Sequence, residues 1–297
     1  MTTAVPETPL ATIALLTYNR AALLPRALAS ARAQDYPHLE ILVLDNASTD
    51  GSEALCRAAA AADGRIRYLR QPRNVGPVAN FNAGLAAAAG RYFMWLADDD
   101  WITPNYVSAC VAVLERDPGV ALAAGRAELP EETPDKRLPA PIDVRLRDPE
   151  ARVLNYLWDP RENSIFYGLY RTDVVRRVGL KRVIAGDWLT VAAVATQGTL
   201  VTTAAATLYR SPAGSSASHR HAVRVLGAPG WHGRAPKIAT ATSIAGWFRR
   251  EYPFADRDAR GRRRLARRVF CVLAARKRML RFLLAFVPRA LRPGRGP

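Results

Sequence analysis

The sequence contains little cysteine and no long uncharged apolar run. Its three cysteines, Cys56, Cys110 and Cys271, stand far apart and form no CxxC pair. This argues against a disulfide framework or a cysteine-based zinc site and fits a reducing compartment. No stretch reaches the roughly 18 uncharged apolar residues that a membrane-spanning helix needs. No basic residues precede the apolar run at 10–16, so we expect no signal peptide and a cytoplasmic protein.

Acidic residues are also few relative to basic ones, and most of this imbalance lies at the C-terminal end of the sequence. The chain has 43 Lys and Arg against 26 Asp and Glu, a formal net charge of +17. Residues 259–297 hold 13 of the basic residues and no acidic one, which leaves +4 for residues 1–258. A nucleic-acid-binding fold would spread basic residues over its surface, so we do not expect nucleic acid as a partner. With 49% apolar residues, the 297-residue chain can bury a substantial core.

Short apolar runs alternate with alanine-rich segments through the first hundred residues. The runs predict strands, and the segments between them predict helices. The predicted strands are 11–16, 39–44, 66–69 and 91–97, and the predicted helices are 20–33, 50–62 and 76–89. Because these strands are apolar on both faces, and helices connect them, we predict an α/β fold. Its core is a doubly wound, mostly parallel sheet with helices on both faces.

The alternation continues less regularly beyond Pro104. The predicted strands there are 120–124, 165–170 and 199–203, and the predicted helices are 104–117, 151–158, 173–178 and 187–195. Segments 129–150 and 211–237 are rich in Pro, Gly, Ser or charged residues and predict loops.

Polar residues directly follow three of the predicted strands. They are Thr17, Tyr18, Asn19 and Arg20 after the first strand, Asp45 and Asn46 after the second, and Asp98, Asp99 and Asp100 after the fourth. In open α/β sheets, ligands bind at the carboxyl ends of the strands. We therefore expect these side chains to share one rim of the sheet.

Asp98, Asp99 and Asp100 carry the strongest chemical signal. Three adjacent carboxylates repel one another, and placing them directly after the apolar run RYFMWLA is costly without a cation. Their oxygens suit Mg²⁺ or Mn²⁺, which usually takes its remaining ligands from phosphates and water. We predict a divalent-metal site here. The alternative is a solvated acidic turn that caps the helix beginning at Pro104.

The polar residues after the first two strands fit a nucleotide. Asp45 or Asn46 can hydrogen-bond a ring N–H or a sugar hydroxyl, and Thr17 and Tyr18 can line a base pocket. The alternative for Asp45 and Asn46 is turn formation and capping within DNASTDG. The alternative for Thr17 and Tyr18 is ordinary loop packing.

Together these residues resemble family 2 glycosyltransferases, which are GT-A-fold enzymes that use nucleotide-diphosphate sugars. The matching segments are TYNR (17–20), LDNASTDGS (44–52), RNVGPVANFNAGL (73–85) and LADDDW (96–101). GDW (186–188) and YRSPAGSSAS (209–218) extend the resemblance more loosely. It implies a GT-A-like domain over residues 1–258, with a nucleotide-binding half at about 9–104 and an acceptor half at about 105–218.

The resemblance also implies roles for individual residues. A divalent metal, Mn²⁺ or Mg²⁺, would bind with the diphosphate at Asp98, Asp99 and Asp100, where Asp98 and Asp99 would also contact the donor. The rest of the nucleotide-sugar site would comprise Thr17, Tyr18, Asn19, Asp45, Asn46, Arg73 and Asn74. Similar proteins have a loop that closes over the diphosphate, which here would include Arg210, Ser215 and His219. The guanidinium of Arg210 suits a phosphate.

Asp187 matches the family's late acidic residue, the general base. Transfer to a hydroxyl requires a base, because the hydroxyl loses its proton as it attacks the anomeric carbon. Apart from the resemblance, Asp187 fits a helix N-cap. Family members often have Glu-Asp where this chain has Gly186-Asp187, and the QxxRW motif of processive synthases is absent. We expect an inverting transferase that adds one sugar.

The basic tail, residues 259–297, is expected to form a unit of its own. Residues 264–287 place apolar and basic side chains on two sides of one predicted helix. Such a helix can lie in a membrane interface with its cations against anionic lipid, or it can pack on the body or remain disordered. We expect peripheral attachment to the inner face of the plasma membrane, which would suit a lipid-linked acceptor.

The sequence leaves the acceptor and one competing function open. The acceptor can be a saccharide, a lipid-linked sugar or a small molecule. The setting can therefore be cell-surface polysaccharide, glycolipid or secondary-metabolite glycosylation. The competing function is a non-catalytic nucleotide-sugar-binding protein that its tail tethers to a membrane or a polyanion. A nucleotidyltransferase fits less well, because residues 17–28 contain neither a glycine-rich loop nor a lysine.

Overall fold

The computed structural model describes residues 8–129, 141–158, 163–211, 232, 235–251 and 258–274. The strands are β1 (Ala11–Thr17), β2 (Leu39–Asp45), β3 (Ile66–Arg70), β4 (Tyr92–Ala97), β5 (Trp101–Ile102), β6 (Val120–Glu128), β7 (Leu169–Arg171) and β8 (Thr199–Tyr209). The helices are α1 (Leu24–Arg32), α2 (Ser52–Ala62), α3 (Pro77–Ala87), α4 (Tyr106–Arg116), α5 (Pro149–Trp158), α6 (Thr172–Val178), α7 (Gly186–Val194), α8 (Pro236–Arg250) and α9 (Ala259–Ala274). A short 3₁₀-helix spans Ser164–Tyr167.

The strands of this described part form one sheet of eight strands in the order β3-β2-β1-β4-β7-β6-β8-β5. The strands β1 to β4 run parallel to one another, as their continuously apolar sequences predict. Thr17 pairs with Asp45, and Leu16 pairs with Ala97. The carboxyl ends of β1, β2 and β4 are therefore level, and the polar residues that follow them emerge along one rim.

The second half of the sheet is mixed. β7 runs antiparallel to both β4 and β6, β5 runs antiparallel to β8, and β6 and β8 are parallel. The strand predicted at 165–170 is wrong in its first part, which forms the 3₁₀-helix, and only Leu169–Arg171 pairs in the sheet. Phe166 stacks on Trp95 of β4 with ring centroids 4.9 Å apart. The apolar run that begins at Ile165 therefore packs across the core as a 3₁₀-helix, although its local pattern is typical of a strand.

Helices cover both faces of the sheet, as predicted. Helices α1, α2 and α4 pack on one face, against residues such as Ile13 and Leu15 of β1. Helices α3 and α5 to α9 pack on the other face, against Ala14 and Leu16. Successive residues of a strand point to opposite faces, so one buried strand supplies both cores.

The C-terminal described helices belong to this body. Helix α8 has no counterpart in the sequence prediction. Helix α9 packs against α8 and α5 and buries Leu265, Val269 and Val272. These three residues belong to the stripe expected to face a membrane, and in α9 that stripe lies inside the protein. Residues 275–287 of the predicted tail helix lie outside the described residues.

No helix in the described part of the chain is both long enough and apolar enough to span a bilayer.

Candidate active site

The loops after β1 and β2 are joined by hydrogen bonds through Asn19. The backbone N–H of Asn19 donates to Oγ of Ser48 (2.9 Å), and the backbone N–H of Thr49 donates to Oδ1 of Asn19 (2.7 Å). Asn19 has a φ of 52°, a left-handed conformation that asparagine tolerates better than most residues. Asn19 thus fixes the rim itself, a role that the sequence did not distinguish from ligand binding.

Asp45 is fully buried, and both of its carboxylate oxygens accept hydrogen bonds. Its Oδ1 accepts from the backbone N–H of Ser48 (2.8 Å), and its Oδ2 accepts from the Tyr68 hydroxyl (2.7 Å). Nε of Arg70 lies 3.5 Å from the same Oδ2. These contacts correspond to the turn-forming role that the sequence offered as the alternative to base recognition.

Asn46 joins the β2 rim to the loop that precedes α3. Its Nδ2 donates to Oδ1 of Asn74 (2.9 Å), and its Oδ1 accepts from the backbone N–H of Val75 (2.9 Å). Asn46 is buried, whereas Arg73 and Asn74 are exposed. Tyr18, with 42% of its surface exposed, lies on the open side of the same rim. A nucleotide can therefore reach the exposed side chains of Tyr18, Arg73 and Asn74 while the buried turns of this rim stay in place.

Asp98 ends β4 as a buried carboxyl. Burial raises its pKa to about 6, and the neighbouring charge of Asp99 acts in the same direction. The hydroxyl of Thr17 and the backbone N–H of Tyr18 oppose the increase. Leu16 of β1 pairs with Ala97 of β4, so Asp98 lies beside Thr17 where these two strands end.

Asp99 and Asp100 each face a different arginine. Nη1 of Arg20 lies 3.5 Å from Oδ2 of Asp99. Nε of Arg210 lies 3.0 Å from Oδ2 of Asp100, and the backbone N–H of Ser211 donates to Oδ1 of Asp100 (2.9 Å). Burial raises the pKa of Asp100 to about 6, and Arg210 opposes that increase.

These carboxylates fit a divalent ion that takes few protein ligands. Among the residues that the structure describes, no three His, Cys, Asp or Glu side chains meet at one point that could hold a metal. In the conformation described, the side chains of Asp98, Asp99 and Asp100 therefore do not form a metal site with three protein carboxylates. Adjacent oxygen donors such as those of Asp99 and Asp100 still suit Mg²⁺ or Mn²⁺, which keeps positions for phosphate and water.

Asp187 lies in the first turn of α7, directly after a sharp bend. Ala185 is left-handed with a φ of 57°, and a Cβ on Gly186 would collide with the backbone carbonyl of Lys181. Gly186, which departs from the family's Glu, is thus required by this turn. Burial raises the pKa of Asp187, and a hydrogen bond from Asn163 opposes the increase. The residue as a whole is partly exposed.

Arg210 and Tyr167 connect Asp187 to the rim. The Arg210 guanidinium lies 4.7 Å from the centre of the Tyr167 ring, and its charge lowers the pKa of both Asp100 and Asp187. Burial raises the pKa of Tyr167, and the charges of Asp99, Asp100 and Asp187 raise it further. The predicted base and the predicted diphosphate site therefore share one electrostatic neighbourhood, although they lie far apart in sequence.

Two contributors to this site, Asn163 and Tyr167, were not predicted from the sequence. Arg20 was predicted at the rim, but its pairing with Asp99 was not. Asn163 stands two residues before the strand predicted at 165–170 and Tyr167 lies within it, with no motif around either residue. Ser215 and His219 of the predicted diphosphate loop lie outside the described residues.

A cleft of about 290 Å³ opens next to Arg210. Ser164, which accepts from Nη1 of Arg210 (3.3 Å), lies in its wall. The other lining residues are Gly125, Arg126, Ala127, Glu128, Pro141, Ile142, Ile165 and Thr202. The cleft is lined by both polar and apolar groups.

Comparison with known proteins assigns the chain to a family. The family model described as glycosyl transferase family 2 matches residues 12–179, more than half of the chain. The chain belongs to glycosyl transferase family 2. The matched segment includes the rim residues and ends eight residues before Asp187.

One curated relative and two solved structures illustrate the likeness. The GalNAc(5)-diNAcBac-PP-undecaprenol beta-1,3-glucosyltransferase of Campylobacter jejuni is 38% identical over 101 residues, which are 34% of this chain and 33% of that protein. S. aureus TarS 1-349 in complex with UDP-GlcNAc superposes with a TM-score of 0.64 at 16% identity, over 92% of this chain and 75% of that one. The mannosyltransferase PcManGT of Pyrobaculum calidifontis, in complex with GDP-Man and Mn²⁺, gives 0.55 at 19% identity, over 96% and 78%.

The solved structures and the curated relatives support different conclusions, because they differ in sequence identity and in the share of each protein that is matched. At their low sequence identity, the two structures establish the GT-A-type fold of this glycosyltransferase family member and nothing finer. The matches to six curated relatives cover only 14% to 52% of those proteins' length.

Proposed function

We propose that the protein transfers one sugar from a nucleotide-diphosphate sugar to an acceptor hydroxyl, with inversion at the anomeric carbon. The observation that carries the proposal is that Arg210 both pairs with Asp100 of the rim and lowers the pKa of Asp187, which brings the proposed base within electrostatic reach of the rim. Inverting transfer needs a base on one side of the anomeric carbon and a leaving diphosphate on the other. Family membership and the fold agree with this arrangement.

The donor would lie across the strand ends of the nucleotide-binding half, residues 9–104. Tyr18 and Arg73 are exposed there and can contact the base and the phosphates. Thr17, Asn19, Asp45 and Asn46 would form the floor and the fixed turns of this site. The complexes of TarS with UDP-GlcNAc and of PcManGT with GDP-Man support a nucleotide-sugar donor of this general class.

Asp99 and Asp100, next to Asp98, would hold Mn²⁺ or Mg²⁺ as the donor binds. When bound there, such an ion neutralises charge on the leaving diphosphate. Arg20 and Arg210 already face these two carboxylates. Their guanidinium groups can turn to phosphate oxygens, for which their planar donors are well suited.

Asp187 would accept the proton of the acceptor hydroxyl as its oxygen attacks the anomeric carbon. The new bond from oxygen to the anomeric carbon forms as the bond from that carbon to the diphosphate oxygen breaks. The nucleoside diphosphate leaves with the bonding electrons, and the proton remains on the carboxyl of Asp187. A single displacement of this kind inverts the anomeric centre.

The acceptor half, residues 105–218, would place the acceptor in the cleft beside Ser164. We favour a saccharide or lipid-linked saccharide over a small molecule, because the cleft adjoins Arg210 and combines polar and apolar walls. The Campylobacter relative's own name describes a lipid-linked acceptor. A setting in cell-surface polysaccharide or glycolipid synthesis at the inner face of the plasma membrane would suit such an acceptor.

A thermal-shift panel of UDP-, GDP- and dTDP-sugars, with and without Mn²⁺, tests donor binding, because a ligand that binds the folded state raises its melting temperature. Donor hydrolysis or transfer then separates an enzyme from a non-catalytic binding protein. Asp99→Asn and Asp100→Asn should abolish the Mn²⁺-dependent shift and turnover while the fold persists. Unchanged turnover in both variants would place the diphosphate elsewhere.

A further inference from the structure

A chain of two hydrogen bonds runs from the core of α5 to Asp187. The Tyr156 hydroxyl donates to Oδ1 of Asn163 (2.6 Å), and Nδ2 of Asn163 donates to Oδ2 of Asp187 (3.0 Å). Tyr156 is 2% exposed and Asn163 is 9% exposed. Water therefore cannot easily replace either partner.

The chemistry of this chain allows one arrangement of the Asn163 amide. A carboxylate only accepts hydrogen bonds, so the amide NH₂ must face Asp187 and the amide oxygen must face Tyr156. The phenol then donates to that oxygen and holds the amide in place. A flipped amide would set its oxygen against the carboxylate oxygen, with no proton between them.

The helix that carries Tyr156 is also fixed to the far end of α7. Arg152, one turn before Tyr156, is buried and donates from Nε to the carbonyl of Ala195 (2.6 Å) and from Nη2 to that of Thr196 (3.2 Å). Residues four apart lie on the same face of a helix. One face of α5 thus holds both ends of α7, directly at its C-terminus and through Asn163 at its N-terminus.

We propose that Asn163 and Tyr156 are positioning residues that orient the Asp187 carboxylate and favour its ionised form. The inference rests on the proposed function, in which Asp187 is the base. A hydrogen bond donated to the charged form of a carboxyl stabilises that form, whereas burial disfavours it. Without Asn163 the buried carboxyl would hold its proton to a higher pH and would lose the side-chain hydrogen bond that orients its Oδ2.

Several other groups face Asp187 and must stay constant in a test. Arg210 from β8 lowers its pKa, and Tyr167 and Tyr170 interact with it electrostatically. The charged residues of the adjoining helix α6 have partners of their own: Asp173 pairs with Arg177 (3.5 Å), and Arg176 donates to backbone carbonyls of α3 and the residue after it. The variants below leave all of these side chains in place.

A ligand-free measurement tests the effect on ionisation. The folded-state pKa of Asp187 is raised, so the stability that its protonated carboxyl contributes is complete below the pKa of an unfolded aspartate, declines as the pH rises, and is lost above the folded-state pKa. Asp187→Asn should therefore gain stability relative to the parent protein as the pH increases, until this gap levels off near the folded-state pKa. In an Asn163→Ala or Tyr156→Phe background, the gap in melting temperature should level off at a higher pH, by about one unit for Asn163→Ala, and should end larger.

Tyr36→Phe is the matched control. It removes a buried tyrosine hydroxyl that donates to the carbonyl of Pro9 (2.5 Å), away from Asp187. It should lower stability without moving the pH at which the gap levels off. If Tyr156→Phe, which preserves the ring, and Asn163→Ala both leave that pH unchanged, the positioning role is wrong.

Turnover separates this inference from the function on which it rests. With UDP-GlcNAc and GDP-mannose as test donors, Tyr156→Phe and Asn163→Ala should lower kcat about tenfold or more, move the acid limb of the kcat profile upward and leave donor KM unchanged. Failure of Asp187→Asn to reduce turnover would contradict the proposed base. Loss of turnover in Asp187→Asn, with normal pH profiles in the other two variants, would contradict only the positioning role.

Discussion

Oδ2 of Asp100, at the end of β4, lies 3.0 Å from Nε of Arg210, at the end of β8. The carboxylate is almost completely buried and the arginine is 23% exposed, so the pair is largely removed from water. This pair joins the rim at the ends of β1, β2 and β4 to the residue that directly follows β8. Without a ligand, Arg210 supplies the cation that the crowded carboxylates of this rim require.

Removing Arg210 should therefore destabilise the protein. Arg210→Ala leaves the Asp100 carboxylate buried without its cation, and we expect a loss of about 1–3 kcal/mol in the free energy of unfolding. Urea denaturation measures it. Arg145→Ala is the control, because its ion pair with Asp143 is exposed and should contribute less than about 1 kcal/mol. Equal effects of the two variants would mean that the Asp100 pair does not stabilise the rim.

Asp187→Asn should reduce turnover about 10²–10⁴-fold and leave donor affinity unchanged. The amide keeps the shape of the carboxylate but cannot accept the proton of the acceptor. Because burial raises the pKa of Asp187, the parent enzyme should lose activity on the acid side at a higher pH than an exposed aspartate would cause. Steady-state kinetics across pH and donor titration measure both effects. Lost donor affinity with retained turnover would move the base to another residue.

The rim could be predicted from sequence because it depends on local pattern. The runs at Ala11–Thr17, Leu39–Asp45 and Tyr92–Ala97 are apolar throughout, and parallel pairing levels their carboxyl ends. Any polar residue directly after such a strand must then emerge along the same edge. For this reason, Asp98 and Thr17 could be placed together with no knowledge of their contacts.

The partners of these residues could not be predicted, because they depend on packing across the whole fold. Asp100 is paired with Arg210 of β8, and Asp187 is held by Asn163, which follows no recognisable motif. The 3₁₀-helix that begins next to Asn163 replaced a predicted strand because Phe166 stacks on Trp95. Sequence pattern identifies which residues reach the site, and tertiary contacts decide which of them are held rigid.

Trp95 supports the site from inside the core. Its ring lies parallel to that of Phe166, within 9°, and its Nε1 donates to the carbonyl of Phe81 (3.0 Å). Trp95→Phe should cost about 1–3 kcal/mol, since the buried carbonyl loses its donor, and Trp95→Ala about 3–5 kcal/mol. Denaturant unfolding measures both. Trp101→Phe, at a partly exposed position, should cost less than Trp95→Phe, and the reverse order would show that the stack carries little of the stability.

Helix α9 offers a direct test of membrane attachment. Arg260, Arg263, Arg264 and Arg267 are exposed at helical spacing, while the opposite side of α9 packs on α5 and α8. We therefore expect any contact of α9 with a membrane to be electrostatic, at about 1 kcal/mol for each arginine near anionic lipid. Arg263→Gln/Arg267→Gln should weaken binding to phosphatidylglycerol vesicles by roughly 10- to 30-fold in a sedimentation assay.

The matched control for α9 is Arg57→Gln/Arg116→Gln, which removes the same charge from exposed positions on α2 and α4. It should leave vesicle binding unchanged, and neutral phosphatidylcholine vesicles should bind neither form. Raising the salt concentration to 1 M shortens the screening length to about 3 Å and should release the parent protein. Binding that persists at high salt, or that weakens equally in both double variants, would mean that the exposed arginines of α9 do not form the attachment surface.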